Sequence, residues 1–325
     1  MGVFRQNREA PDFIYGTRGL EGRKPPTYPK GMASMTQIIS SLAEISDRYK
    51  ALFVDLWGCV HNGVTVLPEA AAALQIYRKS GGKVVLVTNA PRPRESVAAQ
   101  IEGFGVPRDS WDTIATSGDS ARVAMFNGAI GKKVWFMGMQ DKDMAFFEPP
   151  KLLDDPMEIS RVPLDQAEGI ACCGPFDPMA DLDVNRADFL YAKQKGLKLL
   201  CANPDIVVDR GEVREWCAGA LAKLYSEMGG ESLYFGKPHP PIYDLARRRL
   251  AEIDHLPPDH EILAIGDGIL TDIKGAMGED IDSLFISGGL AAKETKTSHQ
   301  PDPDALSNYL EKEMSNPTYT IGQLR

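Results

Sequence analysis

The sequence predicts an α/β protein: a Rossmann-like parallel sheet with a smaller α/β domain inserted into it. Three observations carry that reading. Apolar runs of strand length alternate with helical stretches, the pattern of parallel sheets joined by right-handed crossovers. Several of these runs end in small polar or acidic residues, at Asp55, Thr88-Asn89 and Asp267. The alternation breaks between about residues 131 and 231, where loop-rich acidic sequence carries strands of its own.

The elements follow in order. Residues 1–35 lack the apolar core of a signal peptide, and with Arg5, Arg8, Arg18, Arg23, Lys24, Lys30, Pro25-Pro26 and Pro29 they read as a flexible arm. Met32 and Met35 leave the true start of translation open. Gln37 to Tyr49 is expected as an entry helix capped by Thr36. Ala51 to Asp55 reads as a buried strand. Pro68 to Lys79 places Ala70, Ala73, Leu74 and Tyr77 on one helical face, with proline in the first turn and Gly81-Gly82 as a stop. Lys83 to Val87 is a second strand, Arg94 to Glu102 a helix, and Ile114 to Thr116 a short strand before a helix capped by Ser117 or Asp119.

Residues 36–130 and 232–295 are thus expected to form one core, 131–231 an insertion, and 296–325 a polar tail. Within the insertion, Val134 to Met137, Gly169 to Cys173 and Leu197 to Cys201 read as strands and Arg186 to Lys195 as a helix. The core then closes with a helix near Pro240 to Ile253, a strand ending at Ile265, a helix near Thr271 to Gly278 and a strand at Asp282 to Ile286.

Composition narrows the function. The chain has 325 residues, 43% of them hydrophobic and 25% charged, and a formal net charge of −9. That balance argues against a nucleic-acid partner, which favours a basic face. No apolar run has the length of a membrane span. Five cysteines without a C-x-x-C pair argue against a disulfide framework or zinc site and for a reducing, cytoplasmic location.

The candidate chemistry sits at strand ends, the edge at which open parallel sheets bind ligands. Asp55 ends L-F-V-D and is followed by Gly58 and Gly63; taken alone it reads as a capping acid in a loop. Thr88 and Asn89 can hold phosphate oxygens or make an ordinary turn. Lys237, between Gly236 and Pro238, is a compact charge that suits phosphate, or a solvated surface lysine. Asp267 and Asp272 can bind Mg²⁺, a hard cation that takes one or two carboxylates along with waters and phosphate oxygens, or can cap the following helix. Each bland reading is adequate alone, but four such motifs in this order are not coincidence. Phosphate-loop, G-x-G-x-x-G, G-x-S-x-G and H-E-x-x-H patterns fail on spacing.

In that order the motifs resemble the haloacid dehalogenase superfamily, over roughly residues 50 to 292. Cys201-Ala202-Asn203-Pro204-Asp205, Gly219-Ala220, Gly236-Lys237-Pro238 and Gly174-Pro175-Phe176-Asp177 resemble its class IIA branch, in which an α/β cap interrupts the core. That branch includes sugar-phosphate, nucleotide and p-nitrophenyl phosphatases. The resemblance implies a phosphoric monoester hydrolase that uses Mg²⁺ on a small phosphorylated metabolite. Asp55 would be the nucleophile, forming an aspartyl-phosphate. Thr88 and Asn89 would hold the phosphoryl group, and Lys237 would neutralise charge. The metal would be held by Asp55, the Trp57 carbonyl and Asp267, with Asp272 binding metal-bound water or steering Lys237. A homodimer through the cap is the assembly the branch suggests.

One position departs from the pattern. Two residues after the nucleophile the superfamily carries an acid/base aspartate; here it is Trp57, whose indole only donates from Nε1. General acid–base help is worth ~10²–10⁴-fold. His61, six residues after Asp55, is the replacement the sequence offers, and its alternative is a loop histidine packed against Trp57. A catalytically weak protein that binds a phosphometabolite or a protein partner is the other functional reading. Residues near Asp177 and Asn203 in the insertion can contact the substrate or simply turn the chain, and the turn is the preferred reading.

Overall fold

A computed structural model describes residues 36–325 apart from 211 and 212; the expected N-terminal arm lies outside the described residues. The main sheet has seven parallel strands. In chain order they are β1 (Gln37–Ile38), β2 (Ala51–Val54), β3 (Lys83–Thr88), β4 (Thr113–Thr116) and, after a second sheet, β12 (Ile262–Gly266), β13 (Asp282–Ile286) and β14 (Tyr319–Ile321). Their spatial order is β1-β14-β13-β12-β2-β3-β4. The chain therefore runs outward from β2 to β4, then returns to β12 on the other side of β2 and runs outward again. The β2/β12 boundary is the topological switch point, where the crevice of a doubly wound sheet opens.

Alternation along the strands explains the layers. Leu52, Val54, Val84, Leu86, Leu263 and Ile265 face α1 (Pro68–Lys79) and α2 (Arg94–Gly103) through Ala70, Leu74, Tyr77, Val97 and Ile101. Phe53, Val85, Val87, Ile262 and Ala264 face the opposite side, where Ile242, Tyr243, Ala246 and Leu250 cover them. Both faces being buried, the strands read as continuous apolar runs rather than alternating ones.

The second sheet is also parallel, in the order β11-β8-β7-β5-β6. Its strands are β5 (Lys133–Met137), β6 (Ser160–Arg161), β7 (Gly169–Cys172), β8 (Lys198–Cys201) and β11 (Glu231–Tyr234), and a separate antiparallel hairpin joins β9 (Val207–Arg210) to β10 (Val213–Trp216). One face packs on α4 (Arg186–Gln194) and α5 (Ala218–Glu227), the other on α3 (Ser117–Phe126) through Ala121, Ala124 and Met125. The last strand of this sheet runs past residue 231, the boundary expected from sequence. After it come α6 (Pro240–Ala251), α7 (Lys274–Glu279) and α8 (Pro303–Lys312).

Three expectations need correction. Gln37 to Tyr49 is not a helix: it is the short strand β1 followed by two 3₁₀ turns, Leu42–Glu44 and Ser46–Arg48. β1 gains its ladder from β14, a partner about 280 residues away that local periodicity cannot reveal. Residues 296–325 are not a tail, because β14 sits inside the main sheet and α8 buries Leu306 and Leu310. The cap of α3 is Thr116, whose hydroxyl accepts the Asp119 N–H at 2.9 Å.

Candidate active site

The site forms where β2, β3 and β12 end. Asp55 follows β2, and its N–H donates to the Ile265 carbonyl of β12 at 2.8 Å, extending the ladder across the switch point. Lys237 comes from the segment between β11 and α6. Its ammonium donates to Asp55 Oδ1 at 2.5 Å, Asp272 Oδ1 at 2.7 Å and the Val87 carbonyl at 2.9 Å, which uses all three of its protons. A lysine that the sequence left free to be a solvated surface residue is thus 3% exposed and locked between two acids.

Gly236 makes that approach possible: a Cβ there would collide with Asn89 Oδ1, Pro204 and the Ser117 hydroxyl. Gly58 plays the matching part across the site. It has φ +73°, and a Cβ would drive into the Asp267 carboxylate.

Electrostatics follow from burial. Burial raises the Asp55, Asp267 and Asp272 carboxyls, and for Asp267 the neighbouring Asp55 and Asp272 add to the rise. Lys237 opposes the rise at Asp55 and Asp272. For Lys237 itself burial works against the charge, but Asp272 and Asp55 outweigh it and hold the ammonium well above its ordinary range. Three carboxylates against one ammonium leave excess negative charge in a dry pocket, a balance that a divalent cation corrects. Ligand atoms of Asp55, Cys59 and Asp267 all lie within 4.8 Å of one another. Two carboxylates so placed can share an ion that binds oxygen at ~2.0–2.1 Å, so the residues present fit Mg²⁺. Asp267 is further oriented by the Leu290 N–H on Oδ2 at 3.0 Å.

Asp272 is held differently. Its Oδ2 accepts from Gly268 N–H at 3.1 Å while Oδ1 takes Lys237, so the geometry favours steering of the lysine. Thr88 is half-buried at the end of β3, its hydroxyl 3.3 Å from the Ala90 N–H.

Asn89, expected to help hold phosphate, has its side-chain amide occupied. Oδ1 accepts the Lys237 N–H at 2.7 Å, and Nδ2 donates to the Lys237 carbonyl at 3.1 Å and to Asp205 at 2.8 Å. The amide clamps the lysine backbone and has no proton left for a phosphate oxygen. Asp205 is the residue that sequence reasoning missed. It stood in Asn203-Pro204-Asp205, read as a turn, and the turn is there, with Asn203 Oδ1 accepting the Asp205 N–H at 3.0 Å. Only the crossing from the second sheet to Asn89 shows that its carboxylate reaches the site. Asp177 likewise makes a local turn, accepting the Met179 N–H at 2.9 Å.

Trp57 and His61 belong to a tight loop after Asp55. Val60 and His61 N–H groups donate to Leu56 O, and Gly58 N–H donates to His61 O at 2.9 Å. The His61 ring meets Trp57 and Phe104 edge-on, at centroid distances of 5.6 and 5.0 Å, and its Nδ1 accepts the Gly63 N–H at 3.0 Å. Burial pushes its pKa down to about 4. At neutral pH the ring is uncharged and packed, which weighs against His61 as the missing acid.

Known proteins match this arrangement. Residues 52–148 match the haloacid dehalogenase-like hydrolase family, and residues 234–312 a second HAD-hydrolase-like family. A solved haloacid dehalogenase-like hydrolase from Brucella suis is 36% identical, with a TM-score of 0.75 over 89% of this chain and 100% of that one. The chain belongs to the haloacid dehalogenase-like hydrolase family. Among curated relatives, an acid sugar phosphatase from Staphylococcus saprophyticus is 22% identical over 85% of this chain and 95% of its own length. A 5'-nucleotidase from Bacillus subtilis is 23% identical over 81% and 98%. The first match runs from β2 through β5 of the second sheet, and the second from the end of β11 through α8.

Proposed function

We propose that the protein is a Mg²⁺-dependent phosphatase of small phosphorylated metabolites, working through an aspartyl-phosphate on Asp55. The observation that carries this is the Asp55–Lys237–Asp272 ion-pair chain beside Asp267. Phosphoryl transfer needs positioning and charge neutralisation above all, and that constellation supplies both. The curated relatives act on sugar phosphates and nucleotides by name, which supports a phosphoric monoester as substrate.

Asp55 attacks phosphorus while Lys237 holds its carboxylate and offsets the charge gathering on the phosphoryl oxygens. Thr88 offers a hydroxyl to the transferred group, and Asn89 fixes the lysine backbone. Asp55, the Trp57 carbonyl and Asp267 would hold Mg²⁺, which when bound lessens repulsion between nucleophile and ester. The second sheet, as a cap of about residues 131–231, would close over the crevice and restrict it to small substrates. Trp57, whose indole only donates from Nε1, cannot serve as the acid/base carboxyl at its position. The five cysteines are free and buried, and among the described residues no helix is long and apolar enough to cross a membrane.

Phosphate release from p-nitrophenyl phosphate with Mg²⁺ tests the reading. Asp55→Asn is expected to lower turnover by at least ~10⁴-fold, the scale of losing a nucleophile. Equal rates in wild type and variant across a metabolite panel would instead favour the second reading, a phosphometabolite-binding protein, for which Trp57 is the observation.

A further inference from the structure

We propose that Asp205 supplies the leaving-group proton that Trp57 cannot, acting from the second-sheet wall of the crevice as the general acid and then as the base. This rests on the phosphatase reading above.

Four observations converge on it. Asp205 lies in the connection leaving β8 of the second sheet, yet its side chain bonds Asn89 at the end of β3 in the main sheet, at 2.8 Å. The carboxylate therefore joins a second-sheet connection to the end of β3, two residues from the Val87 carbonyl that Lys237 bonds. Asn89 clamps both backbone polar groups of Lys237, and Lys237 holds Asp55 at 2.5 Å, so Asp205 is tied through two residues to the nucleophile. Gly219 packs against the Pro204 and Asp205 carbonyls, where a Cβ would collide, and Gly219 N–H donates to Asp205 O at 3.1 Å. The backbone carrying the carboxylate is thereby fixed, as an acid that must meet a leaving oxygen requires. Lastly, the Asp205 carboxylate accepts from the neutral Asn89 amide, and Lys237 acts on it through its charge.

The surroundings favour the protonated form. Burial raises the Asp205 carboxyl and Asp272 adds to the rise, while the Asn89 amide and Lys237 oppose it. Asp205 also raises Asp55, so the two carboxyls feel each other across the site. His61, the alternative in the sequence, is packed between Trp57 and Phe104.

The step balances. As Asp55 Oδ bonds to phosphorus, the ester P–O bond breaks and its electron pair goes to the leaving oxygen, which takes the Asp205 proton and departs as an alcohol. Water then attacks the aspartyl-phosphate, gives a proton to the Asp205 carboxylate, and the P–O bond to Asp55 breaks to release phosphate.

Leaving-group dependence tests this in the full chain with Mg²⁺. Asp205→Asn is expected to lose more activity on an alkyl phosphate than on p-nitrophenyl phosphate, whose phenolate leaves without a proton, by a factor of at least ~10². Trp57→Asp placed in that variant is expected to restore alkyl-phosphate turnover by ~10-fold or more. Equal losses on both esters would overturn the proposal and leave Asp205 as a positioning residue for Asn89. Wild-type enzyme gives a readout free of folding effects: a shallow dependence of rate on leaving-group basicity supports the proposal, and a steep one overturns it. Wild type inert toward both esters would instead refute the phosphatase reading.

Discussion

Lys237 at the base of the crevice holds two carboxylates at 2.5 and 2.7 Å, whereas the loop from Trp57 to Val66, a few residues from Asp55, is held by ring edges and backbone turns. The two regions bury their groups by opposite means. At the base, the Lys237 charge is retained between two carboxylates, since a buried ion must find a partner or neutralise. In the loop, a histidine that would be half-charged in water is kept neutral by the same dryness. Adjacent segments of one crevice thus meet burial in different ways: the base through ion pairs, and the loop through ring packing and backbone hydrogen bonds.

Breaking the base gives the largest effect after loss of Asp55 itself. Lys237→Met leaves Asp55 and Asp272 facing each other without a cation, and removing one partner of a buried pair costs ~3–5 kcal/mol. Urea unfolding should show that loss together with collapse of turnover. A variant as stable as wild type would mean that the carboxylates share a proton instead.

The loop comes next. His61 has its pKa lowered from 6.5 to about 4, so between those values the unfolded chain binds a proton that the folded chain refuses. Folding stability from this group is complete above pH 6.5 and is lost as pH falls toward 4. His61→Gln should flatten that part of the stability–pH curve by up to about 3 kcal/mol. Measured by denaturant titration at several pH values, identical curves would show that the ring is not held neutral.

The smallest expected change sharpens the contrast. Trp57→Asp in otherwise wild-type protein places a carboxyl where the family keeps its acid and should raise turnover on alkyl phosphates, by no more than about 10-fold because Asp205 already serves. Steady-state rates on an alkyl and an aryl ester distinguish this from a general effect: only the alkyl ester should respond.

Much of this site was legible before any coordinates. Asp55, Thr88 and Asp267 stand at the ends of apolar runs, and a parallel sheet brings such ends to one edge, whereas Lys237 precedes α6 and its sequence fits a surface lysine equally well. The main-sheet strands from β2 to β4 and from β12 to β13 were equally plain, because both-face burial writes an uninterrupted apolar run. What stayed hidden has long-range causes. β1 and β14 exist because each supplies the other's neighbourhood in the sheet, and neither has a local pattern. The occupancy of the Asn89 amide depends on Gly236, which lets a strand end and a distant loop touch.

The sequence by itself determined the fold class and the order of the motifs, since these depend on residue identity and local period. Only the tertiary structure decided that Lys237 is buried between two acids, that His61 packs instead of facing the reaction, and that Asp205 comes from the second sheet to the crevice. Those outcomes depend on which atoms lie within about 3 Å of each other across the chain, and hydrogen bonds form only over such distances.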